Sequence, residues 1–288
     1  MVQTAAAPPE LVEQLASAGR QRIEASHPPA VWLAAMHALA ERARRVSPWR
    51  KRLGWLVGGL VAADLLALVI LQSLPAAALV TVALAAAGAG YVLTRRRSAF
   101  PPRLGEVVAP LLAVLREDMA PDAPVTLRLD LRGGTLDQKR VSRQALPPLS
   151  GRGAPPITES LYEDAWLAGT AELADGARLE LAIVDQIRKR DITRRNRRGT
   201  LKTKAKYKVK ACVDVQVAFP DDYAPLTAGE RRDGPGRLAV LPGERRTKVK
   251  LRQTFERHHP EAPLAVRPLL DLIATAYSQV APARAGGE

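Results

Sequence analysis

One cysteine, Cys212, stands in 288 residues. That scarcity excludes an intramolecular disulfide and any zinc site built on cysteines, and it agrees with a reducing compartment. Histidine is almost as rare, at four. His27 and His37 have no partner at metal-ligand spacing, and His258-His259-Pro260-Glu261 reads as a solvated turn, because adjacent rings do not converge on one ion without further ligands. Aromatic residues make up 4% of the chain, and Ala, Leu, Val and Arg dominate.

Catalytic signatures are missing too. There is no P-loop, GxGxxG, GxSxG or HExxH. Glu159, Glu163, Asp164 and Asp185 read as ordinary surface acids. Cys212, with the strand parity of the neighbouring lysines, reads as a packed or idle thiol, although adjacent positive charge would favour its thiolate. No catalytic, cofactor-binding or metal-binding residue is assigned, and the expectation is a protein that is not an enzyme. The opening MVQTAAAPPELVEQL has no basic n-region followed by an apolar h-region, so it does not read as a secretory signal.

What is present in excess is positive charge and one long hydrophobic block. A net charge of +14 with pI ≈ 10.5 points to an anionic partner. The block, residues 53–94, holds two nineteen-residue stretches. Residues 53–71 carry one charge, Asp64, and residues 76–94 carry none. At ~1.5 Å per residue each covers ~28 Å, close to the ~30 Å hydrocarbon thickness. Gln72-Ser73-Leu74-Pro75 supplies a turn between them. Basic residues flank both outer ends, from Arg42 to Arg52 and from Arg95 to Arg103, and the turn has none. The expectation is a two-helix transmembrane hairpin in a membrane such as the bacterial inner membrane, with both termini cytoplasmic. Small-residue pairs such as Gly54/Gly58 and Gly59/Ala63 add a homo-oligomer through the hairpin. Asp64, near mid-membrane, reads either as a polar contact across an interface or as an ion- or proton-responsive group.

Residues 1–52 read as a helical cytoplasmic arm. One helix opens at Pro8-Pro9-Glu10 and runs through LVEQLASAGRQRIEA, and a second runs from Ala30 to about Val46. Residues 101–288 have strand alternation, turn signals and flanking helices. Arg103 to Met119 and Leu264 to Val280 read as helices, and Val125 to Leu131, Ala165 to Ala174, Leu201 to Phe219, Arg237–Leu241 and Lys248–Phe255 as strands, with Asp175-Gly176 as a hairpin turn. The fold class expected is α+β: the transmembrane hairpin plus a cytoplasmic domain of antiparallel β-sheet with flanking helices.

The charge is concentrated in a basic β-hairpin over residues 177–219. Between Gln186 and Lys210 stand Arg188, Lys189, Arg190, Arg194, Arg195, Arg197, Arg198, Lys202, Lys204, Lys206, Lys208 and Lys210, opposed only by Asp191. Eleven of the chain's fourteen net positive charges therefore fall in twenty-five residues. The lysines alternate with Thr203, Ala205, Tyr207 and Val209. A strand puts all five on one face, ~6.7 Å apart in a row ~27 Å long, whereas a helix would scatter them. Arg188 and Arg190 extend the row if the hairpin register allows.

Three readings compete for this ridge. It contacts anionic lipid headgroups or an acidic protein partner. It binds nucleic acid, for which Tyr207 has the wrong parity to interleave with the lysines and no known motif appears. Or it only guards a sheet edge, a task needing far less charge. The functional expectation is a membrane-anchored, non-enzymatic scaffold or adaptor. The alternatives are a transport or channel component using Asp64, and a membrane-tethered nucleic-acid binder.

Overall fold

The computed structural model describes residues 7–44, 100–147, 157–195, 200–233, 236–262 and 264–282, with only the backbone of Arg194, Arg195 and Asp233. Eleven strands are β1 (Arg22–His27), β2 (Val125–Asp130), β3 (Arg140–Leu146), β4 (Ile157–Glu172), β5 (Arg178–Arg195), β6 (Leu201–Phe219), β7 (Tyr223–Pro225), β8 (Gly229–Asp233), β9 (Gly236–Leu241), β10 (Thr247–Arg257) and β11 (Val280–Pro282). Nine make one antiparallel sheet in the order β1-β2-β4-β5-β6-β10-β9-β8, with β3 joining β4 from the side; β7 and β11 form a separate pair.

Alternation dictates which face is buried. One rung runs Leu127, Gly169, Leu181, Val215, Leu251 and Leu238 across six strands. Successive rungs of this parity make the core face. Among the described residues four helices cover it: α1 (Pro9–Ser17), α2 (described over 29–44), α3 (a π-turn, Leu104–Val108, continuing into an α-helix, Ala109–Leu115) and α4 (Arg267–Tyr277). Leu11, Leu15, Trp32, Met36, Leu104, Leu112 and Leu269 enter one cluster with the sheet. Trp32 is fully buried, and its indole N–H donates to the Val125 carbonyl at 3.0 Å, fastening α2 to the start of β2. The π-turn in α3 precedes Pro110, which has no N–H to give the ladder; Ala109 N–H reaches back to the Leu104 carbonyl instead.

These elements correct the α+β expectation. The described chain is mostly antiparallel β-sheet with few helices. Among the described residues no helix is long and apolar enough to cross a membrane. The physical reason is plain for α1 and α4, at nine and eleven residues against the ~20 a span needs. The proposed hairpin at 53–71 and 76–94, together with Asp64, lies outside the described residues. The two-pass membrane placement with both termini cytoplasmic, and the homo-oligomer built on that hairpin, therefore find no support in the described structure.

The N-terminal arm also differs. The first helix stops at Ser17, and Arg22–His27 is a strand along the open edge of β2, in register from Arg22↔Asp130 to His27↔Val125. The Asp175-Gly176 turn lies within the five residues that join β4 to β5, closed by Leu173 N–H donating to the Ala177 carbonyl at 2.8 Å. Gly176 N–H donates to the Leu173 carbonyl, Asp175 Oδ1 accepts from Ala177 N–H at 2.9 Å, and Gly176 takes φ +78°, which glycine adopts without strain.

Candidate functional site: the basic β-ribbon

β5 and β6 are the longest strands, at 18 and 19 residues, and pair without interruption from Arg178↔Ala218 to Arg195↔Leu201. Their neighbours stop earlier. β4 makes its last rung with β5 at Thr158↔Asp191, and β10 makes its last with β6 at Arg257↔Val209. Beyond those rungs the hairpin continues as a two-stranded ribbon. Every residue from Leu201 to Lys206 is exposed.

The register settles which basic groups share a face. Lys202, Lys204, Lys206, Lys208 and Lys210 stand on the side of β6 opposite its buried Val209, Ala211 and Val213. Arg188 lies directly opposite Lys208, and Arg190 opposite Lys206. Arg194 pairs with Lys202 in the backbone ladder, and Arg195 with Leu201. Arg197 and Arg198 lie outside the described residues. Lys189 turns to the other face, where it pairs with Asp191 at 3.1 Å.

Directly opposed like charges destabilise a sheet. Two carboxylates offset part of this. Glu159 on β4 lies opposite Arg190 and accepts from its Nε at 2.5 Å, with Arg188 Nε at 4.0 Å. The Arg190 hydrogen bond is the main reason the Glu159 carboxyl is held below its ordinary range, with burial pulling the other way. Glu256 on β10 lies opposite Lys210 and meets Lys208 Nζ diagonally at 2.8 Å, which lowers it likewise. Each acid sits one residue short of the end of its strand's ladder. Farther out, Lys202, Lys204 and Lys206 have no ion pair among the described residues.

At the root of the ribbon, on the same face, a hollow of about 460 Å³ is lined by Val141, Leu161, Glu163, Arg188, Lys208 and Lys210. Val141 is 67% exposed and Leu161 37%. A second concavity of about 600 Å³ lies on the open sheet face, where Arg252 pairs with Asp214 and Arg128 with Glu24.

The other face of the ribbon's root rests on a buried ion network that sequence reasoning missed. Arg103, at the start of α3, donates to Asp164 Oδ2 and Asp185 Oδ2 at 2.9 Å each and to the Pro260 carbonyl at 3.3 Å. Its guanidinium carbon lies 4.8 Å from the centre of the Trp166 ring. Arg257 closes on Asp185 from β10. Lys139 Nζ donates to Asp164 Oδ1 at 2.5 Å and reaches Asp130 Oδ1 at 3.1 Å, and Arg132 clasps Asp130 through Nε and Nη2. Asp164 and Asp185 are fully buried, so their reading as surface acids is corrected.

A β-bulge puts Asp164 there. Between Ala165↔Val184 and Leu167↔Ile183, Trp166 has no partner on β5, and the parity of β4 inverts across it. Burial pushes the Asp185 carboxyl up against the pull of Arg257 and Arg103. Burial acts the same way on Asp130, but hydrogen bonds from Arg132 and Lys139 outweigh it and hold that carboxyl far below the usual range. Four cations, Arg103, Arg132, Lys139 and Arg257, surround three buried carboxylates, so the network carries one excess positive charge, and it braces the root of the ribbon.

The remaining candidates are dispersed. Cys212 Sγ lies 3.8 Å from Thr254 Oγ1. His259 packs edge-on against Tyr207, with ring centroids 5.3 Å apart. Among the described residues no group of three or more His, Cys, Asp or Glu is placed to hold a metal ion. Comparison with models of known protein families, with curated proteins and with solved structures finds no match to this chain.

Proposed function

We propose that the chain is a non-enzymatic binding module, a scaffold or adaptor subunit, whose β5–β6 ribbon docks an acidic protein partner. One observation carries the reading: cross-strand register stacks Arg188 on Lys208 and Arg190 on Lys206, on the face that also holds Lys202, Lys204 and Lys210. Such stacking costs stability, and a fold keeps a local cost where an incoming anion relieves it. Edge protection alone does not call for so dense a row of one sign.

The chemistry of the row favours a protein over other polyanions. Lysines at alternate strand positions repeat every ~6.7 Å, the repeat of alternate side chains in any extended peptide. A lipid leaflet has no fixed charge period. For single-stranded nucleic acid the ridge lacks stacking surfaces, because Tyr207 faces away from the lysines and packs on His259.

The test measures binding of the full chain to polyglutamate, to duplex DNA and to vesicles containing anionic lipid, beside a variant with Lys202, Lys204, Lys206, Lys208 and Lys210 changed to Gln. Polyglutamate binding that the variant loses at least tenfold supports the reading. Equal binding by both chains, or tighter binding to DNA or vesicles than to polyglutamate at matched charge, overturns it.

A further inference from the structure

We infer that the acidic partner binds by strand addition: an extended segment pairs with the free edge of β6 over Leu201–Lys206 and sets a carboxylate beside each lysine. This inference rests on the proposed acidic partner and adds the mode of its recognition.

The first support is the edge itself. β10 leaves β6 at Arg257↔Val209, and β6 runs on to Leu201 with β5 its one strand partner there among the described residues. In an antiparallel ladder alternate residues point N–H and C=O to opposite sides, so this stretch presents unpaired backbone groups along its outer edge. Past Arg257 the chain turns under the sheet. The Pro260 carbonyl accepts from buried Arg103, and His259 packs on Tyr207, both on the face away from the lysines. Among the described residues nothing pairs with β6 on its outer edge beyond the Arg257↔Val209 rung.

The second support is a template the fold already contains. Where β10 does flank the lysine row it supplies Glu256, directly opposite Lys210 and 2.8 Å from Lys208. A segment continuing the line of β10 meets Lys206, Lys204 and Lys202 in the same geometry, with acids at i, i+2 and i+4. The main chain then supplies affinity, and the alternate carboxylates supply specificity and register. The other exposed edges lack this combination. β1 carries Arg22 and Glu24, of opposite sign; β8, Gly229–Asp233, is short and carries both signs of charge; and β3 has only Arg140 and Arg143 along its length.

The test uses a peptide of alternating Glu and Thr, about six residues long to match the free edge Leu201–Lys206 at ~3.3 Å per residue. Two isomers carry N-methyl groups on one or the other alternate set of amides. Strand addition needs only the set facing β6. One isomer should bind the full chain at least tenfold more weakly than the unmethylated peptide, and the other about equally. Exchange protection of backbone amides on the outer edge of Leu201–Lys206 should appear with the peptide and vanish with the weak isomer. If both isomers bind like the parent, strand addition is wrong while the acidic-partner reading survives. If the parent fails to bind while polyglutamate binds, the ridge takes acidic chains without strand order, and the inference falls. If neither binds, the proposed function fails first.

Discussion

Lys208 on β6 and Glu256 on β10 meet at 2.8 Å at the place where β10 ends and the lysine row loses its last carboxylate from that side. The pair is exposed, so it contributes little to folding, and it competes with any ligand for Lys208. Glu256→Gln should leave the thermal midpoint unchanged and raise the salt concentration at which the chain elutes from a polyanion column. A lowered midpoint with unchanged elution would contradict this division of roles.

Glu159 should behave oppositely. It is buried, lies opposite Arg190 and within 4.0 Å of Arg188, and accepts from Gln144 as well at 3.1 Å. Glu159→Gln leaves two cross-strand cation pairs with less compensation and should cost about 1–2 kcal/mol, measured by urea denaturation. A cost below about 0.5 kcal/mol, the range of ordinary surface changes, would show that solvent already screens these rungs.

The buried network makes a sharper claim. Removing one member of a buried ion cluster leaves an uncompensated charge and typically costs ~3–5 kcal/mol. Arg103→Met deprives Asp164 and Asp185 of their shared donor and should fall in that range. Arg103→Lys should recover only part of it, since one ammonium does not reproduce the planar fork that spans two carboxylates. Equal stability for Arg103→Met and the parent would mean that Lys139 and Arg257 suffice.

Stability should also depend on pH through Asp130. Its carboxyl is held far below the ordinary value in the folded state, where Arg132 and Lys139 outweigh burial. Its contribution is therefore fully present above the unfolded value of ~3.9 and is lost as pH falls toward the folded value. Asp185, raised by burial, acts in the reverse sense: its contribution is present below ~3.9 and lost as pH rises through its folded value. The stability gap between the parent and Asp130→Asn should be widest above about pH 4 and narrow below it, read from urea midpoints. A gap independent of pH would sink this account.

The lysine row was legible in the sequence because strand alternation is a two-residue code and β6 carries it for nineteen residues. The register that brings Arg188 and Arg190 onto the same face was not, because it follows from the length of the 196–200 connection. The first half of β4 escaped notice for a related reason: the bulge at Trp166 inverts parity, so one strand reads as two patterns. Asp164 and Asp185 stand 61 and 82 positions from Arg103, their shared donor, and no local pattern announces such a meeting. The edge strands β1 and β3 depend on the open flanks of β2 and β4, which are tertiary facts.

The most direct test of the acidic-docking ridge is the dissociation constant for a fluorescent polyglutamate at fixed salt, for the parent and for Lys202→Gln/Lys204→Gln/Lys206→Gln. These three residues are exposed, beyond the last rung of β10, and without an ion pair among the described residues. At about 0.5–1 kcal/mol per lost exposed charge, affinity should fall about tenfold or more while the unfolding midpoint holds or rises. An unchanged dissociation constant with an unchanged midpoint would contradict the account.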